Sequence, residues 1–188
     1  MLHNAKVLKG YKLNAIDGEI GEVKDFYFDD RYFTIRYLIA ETGPWFKDHQ
    51  VLISPYALGS IDHELLRIEV KLTKAQIKGS PSPDSEKPVS KQFEQSYSDY
   101  YGWPYYWGGM SMWGGYPYIL NDMKYWNKND HESETWDPHL RSTQAVSGRR
   151  VSGVDGDLGH IADFIIDDAN WAIRYLIVST GHWWPGNC

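Results

Sequence analysis

The chain reads as an all-β protein: a small closed or nearly closed barrel, an aromatic linker, and an incomplete second copy of the barrel unit. Three observations predict this. A block recurs, Asp17-Gly18-Glu19-Ile20-Gly21 through Asp25-Phe26 to Asp29-Asp30 returning as Asp155-Gly156-Asp157-Leu158-Gly159 through Asp163-Phe164 to Asp167-Asp168, at an offset of 138 residues. Between Gly10–Phe46 and Gly148–Trp184, 16 of 37 aligned positions are identical, which marks a duplicated unit. Within residues 5–79, short apolar runs alternate with tight turn signals, the pattern of a small β-domain whose closure removes exposed edges. Between the copies the composition shifts to Tyr, Trp, Gly and Pro.

Taken in order, residues 5–14 alternate loosely between apolar and polar and suit a half-buried strand. Asp17-Gly18 is a hairpin signal, because such turns need positive φ. Ile20–Phe28 is the next strand, with Gly21 marking a bulge or a close backbone approach. Asp29-Asp30-Arg31 reads as a turn into Phe33–Glu41, the strongest strand signal in the chain. There Phe33, Ile35, Tyr37 and Ile39 share one face, and Thr34, Arg36, Leu38 and Ala40 the other. Thr42-Gly43-Pro44 ends that strand. Gln50–Ser54, Ile61-Asp62 and Leu65–Leu72 complete the set, and Thr73 to Gly79 predicts a short capped helix.

These residues resemble a known family. Gly10 to Phe26 with its Asp17-Gly18, Gly21 and Asp25-Phe26, then Arg36-Tyr37-Leu38-Ile39, Thr42-Gly43-Pro44-Trp45 and Val51-Leu52-Ile53-Ser54-Pro55, are similar to the PRC-barrel family. The likeness covers residues 5–79 and, in part, 145–187. It implies a small all-β barrel related to the cytoplasmic domain of the photosynthetic reaction centre H subunit and to the C-terminal domain of the ribosome maturation factor. The organisation expected is a complete repeat over 1–79, a linker over 80–142, and a partial repeat over 143–188. By the 138-residue offset Val51 would fall at position 189, one past Cys188, so the strands after Trp183-Trp184 have no counterpart. The second copy is therefore expected to complete itself against the first barrel, another chain or a copy of itself.

In the linker, Pro88 opens a predicted helix over about 89–101, with Phe93, Tyr97, Tyr100 and Tyr101 on one face. The stretch 102–118 is low complexity and too rich in Gly and Pro for a regular element. Its Trp103, Tyr105, Tyr106, Trp107, Trp113 and Tyr116 are the candidate partner-contact residues. Tyr and Trp can cover a barrel flank, present an adhesive surface to a protein or a membrane interface, or stack on single-stranded RNA. An aromatic linker between two barrels also resembles stress-associated, two-repeat members of the family.

Composition narrows the functional class. Net charge is -6, with 11 basic and 11 acidic residues over 1–79, 5 and 9 over 80–147, and 3 and 5 over 148–188. No segment offers a basic footprint for nucleic acid. The single cysteine, Cys188, rules out an intrachain disulfide, and no stretch approaches the length of a spanning helix. A cytoplasmic protein is expected. Asp25, Asp29 and Asp30, repeated as Asp163, Asp167 and Asp168, could hold a cation or do acid–base work. Turn-making and pairing with Arg36 and Arg174 on the barrel exterior is the reading preferred here. The seven histidines lack metal-ligand spacing, and neither a phosphate loop nor a nucleophile elbow occurs. The expectation is thus no enzyme, no cofactor and no metal. What remains is a binding or scaffold module with a protein partner or a homo-oligomeric contact, peripheral membrane contact being a variant. The alternatives are an RNA- or ribosome-associated factor, or a reaction-centre H-like accessory protein.

Overall fold

The computed structural model describes residues 1–46, 50–81, 91–103 and 139–180. The first part of the chain forms β1 (Leu2–Asn4), the one-turn helix α1 (Ala5–Leu8), β2 (Lys12–Ala15), β3 (Gly18–Asp29), β4 (Thr34–Thr42), β5 (Gln50–Ile53), β6 (Leu58–Asp62), β7 (Arg67–Val70) and α2 (Lys74–Gly79). Helix α3 (Lys91–Tyr101) follows. The second copy supplies β8 (Leu140–Ser142), α4 (Thr143–Val146), β9 (Arg150–Gly153), β10 (Gly156–Asp167) and β11 (Ala172–Ser179). The last five elements match β1, α1, β2, β3 and β4 at the same 138-residue offset.

All strands among the described residues belong to one curled sheet, ordered β1-β10-β11-β4-β3-β2-β7-β6, with β5 on β4, β8 on β3 and β9 on β10. The hairpins are antiparallel, whereas β2 and β7 run parallel from Lys12↔Arg67 to Ala15↔Val70. Around the first copy the sheet wraps as a half-barrel over Leu13, Ile20, Phe26, Leu38, Ile53 and Ile68, all fully buried. A 3-10 turn at Pro55–Ala57 joins β5 to β6, and the Thr73–Gln76 capping box fixes α2 over the end of the core.

The two copies exchange their first elements. β1 pairs with β10 of the second copy (Leu2↔Asp167, Asn4↔Ile165), and β8 pairs with β3 of the first (Leu140↔Asp29, Ser142↔Tyr27). Between them, β4 meets β11 at Thr34↔Ala172. There the Ile35 amide donates to the Trp171 carbonyl at 2.8 Å and the Ile173 amide to the Phe33 carbonyl at 2.6 Å. Phe33 and Trp171 both sit at positive φ, 52° and 55°. That conformation is unfavourable for an aromatic residue, and the reciprocal bonds across the junction hold it in place. Phe28 and Phe164 meet at 5.4 Å, and Phe164, Ile166, Trp171 and Ile173 share the first copy's hydrophobic core. The second copy thus packs on the first, one of the three surfaces expected to complete it.

Three local readings are corrected. Residues 5–14 are not one strand: Ala5 and Leu8 point inward from a helical turn, and Gly10 at φ 83° redirects the chain into β2. The first hairpin turns on Ile16-Asp17, with the positive φ (122°) on Gly18 as β3 begins. The two faces assigned to Phe33–Glu41 also change. A bulge places Arg36 between the pairs Tyr27↔Tyr37 and Phe28↔Ile35, so Ile35 lies with Leu38 and Ala40 in the main core, opposite Tyr37 and Ile39. The bulge recurs at Arg174, between Ile165↔Tyr175 and Ile166↔Ile173. Gly21 carries both features expected of it. A bulge adjoins it in the β2–β3 ladder, and any Cβ there would collide with the Glu41 carbonyl.

Candidate partner interface

On the outer face of the first copy, Tyr37, Ile39 and Leu52 form a small apolar surface covered by α3. Phe93, Tyr97 and Tyr101 recur every four residues and so lie along one stripe of the helix. Tyr97 is wholly buried. It packs edge-on to Tyr37 at 5.6 Å and lies against Phe93 at 5.8 Å. Its hydroxyl donates to the Leu52 carbonyl at 2.8 Å and accepts from the Ser54 amide at 3.2 Å, which pins the helix to the end of β5. Tyr100 lies outside the stripe, its ring half-exposed and its hydroxyl donating to the Gln76 carbonyl at 3.0 Å.

Under the helix lies a buried charge cluster. Glu94 accepts from the Arg36 guanidinium and, at 2.9 Å, from the Tyr37 hydroxyl, while Asp29 stands 3.6 Å from Arg36. Arg36, Glu94 and Asp29 are all buried. Arg36 was expected to pair within its repeat on the barrel exterior. It does reach Asp29, but α3 closes over it and supplies a second carboxylate. Burial pushes the Tyr37 and Tyr97 phenols well above their ordinary value, the Glu94 carboxylate adding to this at Tyr37. Both remain protonated donors.

The repeated aspartates have separate duties. Asp25 accepts from Lys9 Nζ at 2.8 Å, from the Ser142 and Thr143 hydroxyls, and from the Gln144 amide at 3.3 Å. It therefore caps α4 of the other copy, while Asp163 accepts from the Lys6 amide at 3.1 Å and caps α1. Burial would raise the Asp25 pKa, but its hydrogen bonds from Lys9, Ser142 and Thr143 outweigh that and hold it below the usual carboxylate value. Asp29 closes its turn through the Arg31 and Tyr32 amides, and Asp167 pairs with Arg174 at 2.9 Å. Asp30 binds His139 and Arg141, both at 2.9 Å; its counterpart Asp168 binds His3 at 2.9 Å and the Met1 ammonium. Every carboxylate of the set faces amides, hydroxyls or cations that tie turns and arms together. Among the described residues no cluster of His, Cys, Asp and Glu is arranged to hold a metal ion.

Of the candidate partner-contact residues, the structure places Trp103. It is half-buried, stacks on Tyr101 at 4.4 Å and reaches Tyr56 at 5.9 Å, so it covers the flank of the first barrel. Tyr105, Tyr106, Trp107, Trp113 and Tyr116 lie outside the described residues, as do Trp183 and Trp184. Sequence reasoning missed Glu94, although an acid at the edge of an aromatic helical stripe is a recognisable signal. It expected an unfinished second copy with an exposed stretch at Ile173–Ser179, where Tyr175 and Leu176 are indeed exposed, but not the exposure of Leu158.

Residues 5–77 match the model of the PRC-barrel domain family. No curated protein matches the chain.

Proposed function

We propose, from the match of residues 5–77 to the PRC-barrel domain family, a module type that is generally non-catalytic, that the chain is a protein-binding scaffold whose second copy is the receptive half. One observation carries this reading. Leu158 and Leu176 are exposed, whereas the equivalent Ile20 and Leu38 of the first copy are fully buried. Apolar side chains that one copy buries and its duplicate leaves in water are the mark of a contact surface. Beyond its single pair with β4 at Ala172, β11 runs on through Leu176-Ile177-Val178-Ser179, which carries no charged residue to discourage pairing.

Quantitative affinity capture from the source cells tests the proposal, comparing the wild-type chain with a Leu158→Asp/Leu176→Asp variant. Both sites are exposed, so the variant should keep its fold, as circular dichroism would verify. At least one stoichiometric protein should be captured by the wild type, survive a high-salt wash, and be lost with the variant. Identical captures by both proteins would refute the reading. Capture of RNA or ribosomal proteins that leave at high salt would favour the RNA-associated alternative.

A further inference from the structure

The duplication places the same docking residues on both copies, and among the described residues only one set is buried beneath a helix. Tyr37, Ile39, Tyr27 and Leu140 line the face under α3. Their equivalents at the 138-residue offset are Tyr175, Ile177, Ile165 and Leu2. Tyr175 and Ile165 are direct cross-strand partners, as Tyr37 and Tyr27 are, and Leu2 faces Asp167 as Leu140 faces Asp29. The charged element is repeated too, with Arg174 bonded to Asp167 where Arg36 meets Asp29. Burial separates the two faces: Tyr37 is 5% exposed and Tyr175 63%, and Leu2 is 51% exposed.

Resting on the protein-binding reading above, we propose that the outer face formed by Leu2, Ile165, Tyr175 and Ile177 takes an amphipathic helix of a partner protein with the chemistry of α3. That helix carries an acidic residue directed at Arg174, an aromatic residue just before it, and further aromatic residues three and seven positions after it, the pattern Phe93-Glu94-x-x-Tyr97-x-x-x-Tyr101. Charge and shape complementarity are visible in the first copy, where Glu94 meets Arg36 and Tyr97 fills the apolar surface. The occupant comes from a different protein because the sequence carries this aromatic and acidic pattern once, at 93–101, whereas the duplication supplies the face twice. Exchange of α3 between copies would uncover one face for each it covers. The second face also lacks, among the described residues, the β5 edge that bonds to Tyr97. A helix held there is therefore bound more weakly than α3, as suits a partner that comes and goes.

A labelled synthetic peptide spanning residues 88–103 serves as the probe, titrated by fluorescence anisotropy with the full-length chain. Saturable binding at one peptide per chain is expected. It should weaken at least about tenfold with Tyr175→Asp in the protein or with Glu94→Lys in the peptide, since both act on the anchor of the contact. The Tyr175→Asp variant is read beside its circular dichroism spectrum, and its exposed position should leave the fold intact. No binding, or binding that Tyr175→Asp leaves unchanged, overturns the proposal; in the latter case the peptide is displacing α3 from the first copy. A dimer of the unliganded chain in light scattering that Tyr175→Asp abolishes also overturns it, by making a second copy the occupant. Peptide failure alongside partner capture that still depends on Leu158 and Leu176 would reject the helix chemistry and keep the scaffold reading.

Discussion

Replacing Glu94 with alanine should uncouple α3 from the barrel, and the structure gives the scale. The substitution removes the carboxylate from the Arg36 guanidinium and from the Tyr37 hydroxyl, both buried. Arg36 keeps Asp29 at 3.6 Å, but that carboxylate already accepts from the Arg31 and Tyr32 amides. Breaking a buried pair by removing one partner costs about 3–5 kcal/mol, mostly because a desolvated charge is left poorly compensated. For a chain of this size each kcal/mol moves Tm by about 2–4 °C, so a cooperative loss would lower it by roughly 6–20 °C. If the helix lifts off alone, Tm falls less, and amide exchange over residues 91–101 speeds up while β3 and β4 stay protected. The chain supplies its own control. Arg174→Ala breaks the equivalent pair with Asp167 at a part-exposed site, where about 0–1 kcal/mol is expected. Thermal denaturation and hydrogen exchange on both variants decide the matter. Equal, small effects at the two sites, with unchanged exchange in α3, would show that the buried cluster does not hold the helix.

Other perturbations follow from the same geometry. Gly21→Ala should destabilise strongly, by more than about 2 kcal/mol in urea denaturation, since the residue sits at φ 141° and a methyl group would strike backbone that cannot yield. Asp25→Asn should cost stability at neutral pH. Because the folded Asp25 pKa lies below its ordinary value, its contribution is fully present above the ordinary carboxylate range. It fades as pH falls through the folded value, so the gap between wild type and variant should close in acid. Tyr97→Phe keeps the ring and removes the hydroxyl from the Leu52 carbonyl and the Ser54 amide, and should cost about 1–2 kcal/mol with faster amide exchange at Ser54.

Much of this architecture was written in residue pattern. The duplication, the long strand around Ile35–Ile39, the glycine at position 21 and the Thr73 cap are each local, so spacing alone reveals them. The exchanged arms were not legible. A three-residue strand followed by a one-turn helix is too short to show a period, and Leu2–Asn4 and Leu140–Ser142 are paired by residues more than 100 positions away. The bulge at Arg36 was hidden for a different reason. One extra residue reverses every side chain beyond it while leaving the alternation in the sequence intact. Glu94 was overlooked because its partner comes from a distant strand. Which side chains of the second copy stand exposed was not legible in composition: Tyr37 and Leu38 are buried where the identical Tyr175 and Leu176 are exposed, and only the fold tells them apart.

The crossed arms set what kind of molecule this is. A single copy folding by itself would have to borrow its capping strand from a neighbour, so its assembly would depend on how many molecules were present. Carrying both halves on one chain turns that encounter into a unimolecular event, governed by tether length and indifferent to dilution. Severing the chain between the copies should therefore make the melting temperature depend on concentration more steeply than it does in the intact protein.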